Sequence, residues 1–580
     1  MRIRDSVSRA VSKLVKPEHW VWLAAGTGAL VDLRAGVPEL DDPAAGGASW
    51  DAARTVRAEL LVELLVGART PLRGGRLLAV RLRGARITGR LNLETVTLGC
   101  PLLLQDCHLE QPVNLNEARA PVIRLPGCHL PGLAADQLET RGNLQLDRGF
   151  TATGEVRLLG AHIGGQLSFN AANLNNPNGV ALQADELTVD QGMYCREGFT
   201  ATGEVRMLGA HIGGTLEFDG ANLNNPNGRA FNADRLTVDQ GMYCRNGFTA
   251  TGEVHLINAH IRGQFNLSKA SLINPNRLVL HADGLTVDQG MFCREGFTAT
   301  GEVRLRGAHV HGVLDCTDAT MRNDTGPALD ANSLQVDQSV FLRGRFEAVG
   351  AGSGVTLNLS HMRIGGVLGF APARLEHTAD PQARLALDGL IYAGLPAGIS
   401  QREWLRLLRE GTKSYTAQPY QQFAGAHRAA GHDGEVRRTL MAQRQDQIDR
   451  GALTGRAERA WARLTGLTLG YGYQPWRALL FLVAIATTAV VLALTLGVHG
   501  AVARTDPHPP AASRCSVVER VGVGLDLGLP LVKTGTRDHC DTTASTTGQA
   551  LTVAGWGLQL LAWVFATLFV AGFTGAVRKT

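Results

Sequence analysis

Between Arg76 and Leu375 the apolar residues fall two apart in short runs, and the chain jogs between runs. In one stretch the pairs are Val156/Leu158, Ala161/Ile163, Leu167/Phe169, Ala172/Leu174, Leu187/Val189 and Met193/Cys195. A period of two predicts strands, here about three or four residues each. Gly160, Gly164 and Gly165 sit between runs, where the backbone must turn, and NNPNG at Asn175–Gly179 predicts a protruding loop. The stretch also repeats. GFTATGEVRLLGAHIGG from Gly149 returns as GFTATGEVRMLGAHIGG from Gly198, GFTATGEVHLINAHIRG from Gly247 and GFTATGEVRLRGAHVHG from Gly296, always 49 residues on. Very short strands at a long fixed period predict a parallel β-solenoid. One coil cannot bury its apolar edge alone, so it stacks on the next at about 4.8 Å. Each unit reads as two coils. Diverged copies from Val80 (VRLRGARITGRLNLETVTL) and Val355 (VTLNLSHMRIGGVLGF) extend the array to residues 71–390. That length makes about a dozen coils, a rod roughly 55–60 Å long.

Outside this region the period becomes helical. DAARTVRAELLVELLV (residues 51–66) places Val56, Leu60, Leu61 and Leu64 at helical spacing behind a capping Asp51. With Trp20 and Trp22 nearby, residues 1–70 predict a small helical cap over the first edge of the solenoid. The basic opening from Met1 leads into a short apolar run that holds two glycines. It has no clear small-residue cleavage site and does not read as an export leader. In residues 391–450, Tyr420, Phe423, Ala424, His427 and Ala430 share a helical face, Gly431–Gly434 breaks it, and Val436, Leu440 and Met441 follow. This predicts a helical hairpin similar to one tetratricopeptide-type pair. A juxtamembrane segment, 451–477, leads to the last region, 478–580.

Two runs there carry no charge: 478–498 and 553–577. Each is long enough to cross about 30 Å of hydrocarbon. Two spans put Arg477 and Arg578 on one side, with Arg450, Arg456, Arg459 and Arg463. The positive-inside rule then makes that side cytoplasmic, with the solenoid there and residues 499–552 outside. The outer segment holds Cys515 and Cys540, a candidate disulfide in an oxidising compartment. It also holds VERVGVGLDLGLPLVKTG, partly apolar and too short to span. An interfacial helix or strand-like cap with Asp526 facing water is one reading. The other is a re-entrant segment, the device from which small pores are built.

Candidate chemistry changes the picture little. The repeat carries polar columns: His162, His211, His260 and His309; Glu155, Glu204, Glu253 and Glu302; Asp190, Asp239, Asp288 and Asp337; Arg196, Arg245, Arg294 and Arg343. An active site is one asymmetric constellation, whereas these recur four times. They read as outward, solvated ladders, cross-paired between coils. Cys195, Cys244 and Cys293 form an inward column that Leu342 takes over in the next copy, so the thiol reads as a small buried hydrophobe. The nine cysteines include no CxxC pair, and no GxGxxG, P-loop, HExxH or GxSxG motif is in a supporting context. No catalytic, cofactor or metal residue is assigned. A net charge of +5 with interspersed signs gives no electrostatic case for nucleic acid.

The short-strand pattern resembles the pentapeptide-repeat and related right-handed β-helix proteins, with AANLNN and GANLNN looking like their A(N/D)LxX unit. That resemblance implies a mainly β fold, a right-handed parallel β-helix. A closer one covers nearly the whole chain. VDLRAG (Val31), RTVRAELL (Arg54), RLRGARITGRLNL (Arg81), YTAQPYQQFAGAHRAAGH (Tyr415) and GYGYQPWRAL (Gly470) look like a bacterial family of repeat proteins with C-terminal membrane spans. Its members are often labelled membrane-associated oxidoreductases. It implies a shared architecture and an inner-membrane location, and no catalytic residue is transferred by it. Three functions follow as expectations: a non-enzymatic scaffold anchored in the bilayer that binds a protein partner; a homo-oligomeric two-span channel or effector gated by the solenoid; and the oxidoreductase of the family label.

Overall fold

The computed structural model describes residues 16–67, 77–451, 455–505 and 514–579, with side chains to 574. The basic opening to Val15 and the start of the period-two pattern at Arg76 lie outside them. The chain divides into two compact units, Met1–Lys413 and Ser414–Thr580.

The first unit is a parallel β-solenoid of about 12 turns. Among the described residues its strands form three parallel sheets, of 14, 20 and 12 strands. Leu144 pairs with Leu167 and Leu167 with Met193. Hydrogen bonds between neighbouring coils accordingly span 23 and then 26 residues. Two coils make one 49-residue unit. The period-two pairs all point inward: Val156, Leu158, Ala161, Ile163, Leu167, Phe169, Leu187, Val189, Met193 and Cys195 are fully buried. Stacking delivers this burial, since each coil supplies the apolar floor of the next.

The Asn-rich segments differ from the expected loop. Asn173–Gln183, Asn222–Asn232 and Ser271–His281 are 11-residue strands of the second sheet, each pairing with its neighbour across a register shift. Their tips are exposed bulges closed by one device. The amides of Asn176, Asn225 and Asn274 donate to the carbonyls of Val180, Arg229 and Leu278 at 2.7–2.9 Å, and in the next copy, which has no such long strand, Asn323 donates to Pro327 O at 2.8 Å. Gly203, at φ +110°, lies under the first bulge, where any Cβ would strike the carbonyls of Asn176 and Gly179. Long-range pairing has outweighed the local turn signal.

The N-terminal region also departs from a plain helix. Residues 51–66 split into a turn (Ala52–Arg54), a strand (Thr55–Arg57) paired with Arg86–Thr88, and a helix (Ala58–Leu65). Asp51 accepts from Ala53 N at 3.0 Å and caps the turn, not the helix. The region covers the first edge partly by adding strands to it, because Val31–Asp32 also pairs with Leu82–Arg83. Arg54 locks the region down. Its guanidinium lies 3.5 Å from the Trp50 ring centroid and donates to Gly84 O and Asp41. At the other end the helix Gln401–Glu410 covers the last coil, so this unit runs past the expected boundary at 390. Ser400 and Glu403 form a reciprocal cap, and Trp404 is buried against Phe370 and Tyr392.

In the second unit, helices Gln418–Ala429 and Asp433–Asp449 form the hairpin. Tyr420 Oη donates to Asp446 Oδ2 at 2.9 Å, and Arg450 Nε donates to Asp446 Oδ1 at 2.7 Å. Helix Arg456–Leu469 follows, then Trp476–Val498, Val517–Gly528 and Thr546–Lys579.

Candidate functional site

Two helices of the second unit, Trp476–Val498 and Thr546–Thr574, are long and apolar enough to cross a membrane. Only 17% and 11% of their most apolar windows are buried. A core helix of a water-soluble protein hides its apolar surface; these present Leu480, Val483, Trp556, Leu560 and Phe573, each more than half exposed.

Between them lies the segment around Asp526. It folds as the helix Val517–Gly528, started by a Ser516/Glu519 capping box, so the strand-like reading is overturned. It does not lie free on a surface either. Val523 and Leu527 are buried with Leu551, Ala501 and Val502, against Leu492 and Leu496. Small residues bring it close to the first long helix. A Cβ on Gly524 would lie 2.7 Å from Val490 Cα, and one on Gly528 2.5 Å from Ala489 Cβ. Ala489 and Ile485 sit in the middle of Trp476–Val498, so the short helix ends about halfway along its neighbour. Asp526 is half-buried and ties the chain's return. Its carboxylate accepts from the Thr534 N–H at 2.6 Å and the Thr534 hydroxyl at 3.0 Å. Leu531–Gly535, the segment that carries Thr534, is non-helical and exposed.

Cys515 and Cys540 form a disulfide across 25 residues, holding the start of the short helix to the antiparallel pair Val502–Arg504/Cys540–Thr542. Closing a loop of that length contributes about 3 kcal/mol. Reducing the full chain, or substituting Cys515→Ser, is therefore expected to lower the second unit's unfolding free energy by about that much, read from urea unfolding in detergent with and without reductant.

On the solenoid the polar columns are outward and cross-paired. His162, His211, His260 and His309 each place Nε2 2.9–3.0 Å from an aspartate of the following coil, Asp190, Asp239, Asp288 and Asp337. Such exposed pairs contribute about 0–1 kcal/mol each. The arginine column has a partner that sequence reasoning missed. Arg196, Arg245, Arg294 and Arg343 lie 4.1–4.8 Å over the rings of Tyr194, Tyr243, Phe292 and Phe341. The repeated aromatic two residues before each arginine was the available signal. The glutamate column is half-buried instead of solvated, and burial raises Glu302 above the usual carboxylate range.

The cysteine column is buried but interrupted. Register puts Phe218 and Leu267 in the coils between Cys195, Cys244 and Cys293. Burial pushes the thiols of Cys195 and Cys244 well up, so they stay protonated and pack as apolar groups.

Compared with protein-family models, with curated proteins and with solved structures, the chain finds no match in any of the three.

Proposed function

We propose that this protein is a β-solenoid anchored in a lipid bilayer by two C-terminal spans, which offers the outer faces of its coils as a rigid scaffold for a protein partner. The observation that carries the reading is the exposure of two long apolar helices, of whose most apolar stretches only 17% and 11% is buried. Contiguous apolar surface on that scale needs a non-aqueous partner, and two such helices in one chain fit a bilayer. The solenoid supports the scaffold half. Near-identical coils repeat the same His–Asp and Arg–aromatic features along one rod, a spacing that suits an extended partner. The cysteines support a cytoplasmic solenoid. The disulfide lies between the spans, whereas the seven other cysteines are free and buried. In membranes of expressing cells, the full chain is expected to stay in the pellet through alkaline carbonate and to leave it only with detergent. Release by carbonate would refute the anchor. Maleimide labelling in intact cells reports the sidedness. A Cys introduced at the exposed Ala544, between the spans, should react, and one at the exposed Arg345, on the solenoid, should not.

A second reading rests on the short helix. If Trp476–Val498 spans, Gly528 lies near mid-bilayer, and the non-helical Leu531–Gly535 needs either protein or water around it. A ring of copies around a water-filled opening supplies both, which favours a homo-oligomeric channel. Conductance in planar bilayers holding the purified full chain supports it. A monomer in detergent and in nanodiscs, silent in bilayers, counts against it.

A further inference from the structure

The fourth near-identical copy carries a second histidine at an outward position where the first three have Gly164, Gly213 and Arg262. Asp190, Asp239, Asp288 and Asp337 alternate along their column with Gly164, Gly213, Arg262 and His311. His309 lies in the two-residue strand His309–Val310, and His311 follows it directly at a bend. Their rings stack with centroids 4.0 Å apart. His309 Nε2 is 2.9 Å from Asp337 Oδ1, and one ligand atom from each of His309, His311 and Asp337 lies within 4.8 Å of the others. Asp288, on the preceding coil, places Oδ1 3.6 Å from His311 Nδ1.

We propose that His309, His311 and Asp337 form a binding site for a divalent cation of the zinc class. Two imidazoles and a carboxylate suit Zn²⁺, Co²⁺ or Ni²⁺ better than Mg²⁺ or Ca²⁺, which take oxygen ligands. Ligand atoms about 2.0–2.2 Å from a shared tetrahedral ion sit about 3.3–3.6 Å apart. The side chains are 33%, 42% and 50% exposed, so small rotamer changes close the observed spread. Asp288 is placed to hold the His311 ring through its other nitrogen, the usual outer partner of a ligating histidine. The ligands come from neighbouring coils: Thr286 pairs with His309, and His309 with Gln335. A bound ion therefore pins the following coil to the coil of His309, with Asp288 adding the preceding one. The first three copies each supply a single His to this face, and in the third Arg262 fills the place of the second imidazole and pairs with Asp239 at 2.9 Å. They lack the site.

The test uses the purified full chain in detergent, titrated calorimetrically with Zn²⁺ and melted with and without it. The wild type is expected to bind one Zn²⁺ per chain and to melt higher with it. His311→Gly, which copies the residue at 213, and Asp337→Asn should each lose at least about tenfold in affinity along with the shift in melting. His211→Ala, which removes one of the single pairs, should bind like the wild type. All three positions are at the surface, and far-UV circular dichroism confirms that each variant folds. Equal zinc binding by wild type and His311→Gly overturns the proposal. So does a loss in His211→Ala as large as that in His311→Gly.

Discussion

Trp404→Ala is expected to lower the stability of the solenoid by about 3–5 kcal/mol and to turn its last coil into a site of self-association. Trp404 is 1% exposed, with its ring 5.5 Å from that of Phe370 and 6.4 Å from that of Tyr392. The helix that carries it covers the end of the array, where Leu385 N–H donates to Gly411 O at 2.8 Å and Gly369 pairs with Ala397 in an isolated bridge. Removing the indole leaves a cavity in the apolar layer over that end. The coils beneath then have no further coil to pair with, and an open parallel edge templates other chains. Stability in a stacked array is close to a sum of neighbour terms, so loss should begin as fraying at this end. Hydrogen exchange should therefore speed up first in Leu357–Tyr392 and last around Phe218, which sits mid-array against Phe199, Phe231 and Phe248. Trp404→Phe keeps most of the packing and should recover more than half of the loss. Urea unfolding within about 0.5 kcal/mol of wild type, with a monodisperse sedimentation profile, would show that the helix is not a seal.

The solenoid was legible because inward positions in stacked coils meet almost the same surroundings every time. Nothing blurs the pattern, so Val156 through Cys195 could be assigned by period alone. Where a segment had two ways to satisfy its backbone, sequence was a poorer guide. Val56, Leu60, Leu61 and Leu64 fit a helix, but Thr55–Arg57 found an open strand edge at Arg86–Thr88 and took it. NNPNG is turn chemistry, yet neighbouring coils held it extended apart from its tip. The segment around Asp526 was ambiguous because hydropathy does not record depth. Its Gly524-x-x-x-Gly528 spacing, a small-residue contact pattern, was the signal that could have placed it against a long helix. His311 was visible as the one histidine that breaks its column, but only the register shows that Asp288 and Asp337 flank it.

That small-residue contact carries the second large effect. Gly524→Val is expected to lower the thermal midpoint of the second unit by about 5 °C or more. The atoms facing a new Cβ at 524 are Val490 Cα at 2.7 Å and Ala489 O at 3.0 Å, both backbone, so no rotamer change can relieve the clash. The short helix has to move off its neighbour. Overpacking of this kind costs about 1–3 kcal/mol where side chains can yield, and more where they cannot. Displacement also separates Val523 and Leu527 from Leu492, Leu496 and Leu551, the apolar cluster that holds the three helices together. Gly557 is the internal control. It lies on the last helix with nothing within 4 Å of its Cβ position, so Gly557→Val adds the same atoms without a clash and should shift the midpoint little. If a channel is formed, the two variants separate again. Gly524→Val moves Asp526, Thr534 and the returning chain, and should abolish conductance, while Gly557→Val conducts. Equal midpoints for the two variants would mean that the short helix is not held by the glycine contact, and the mid-span position of Gly528 would fall with it.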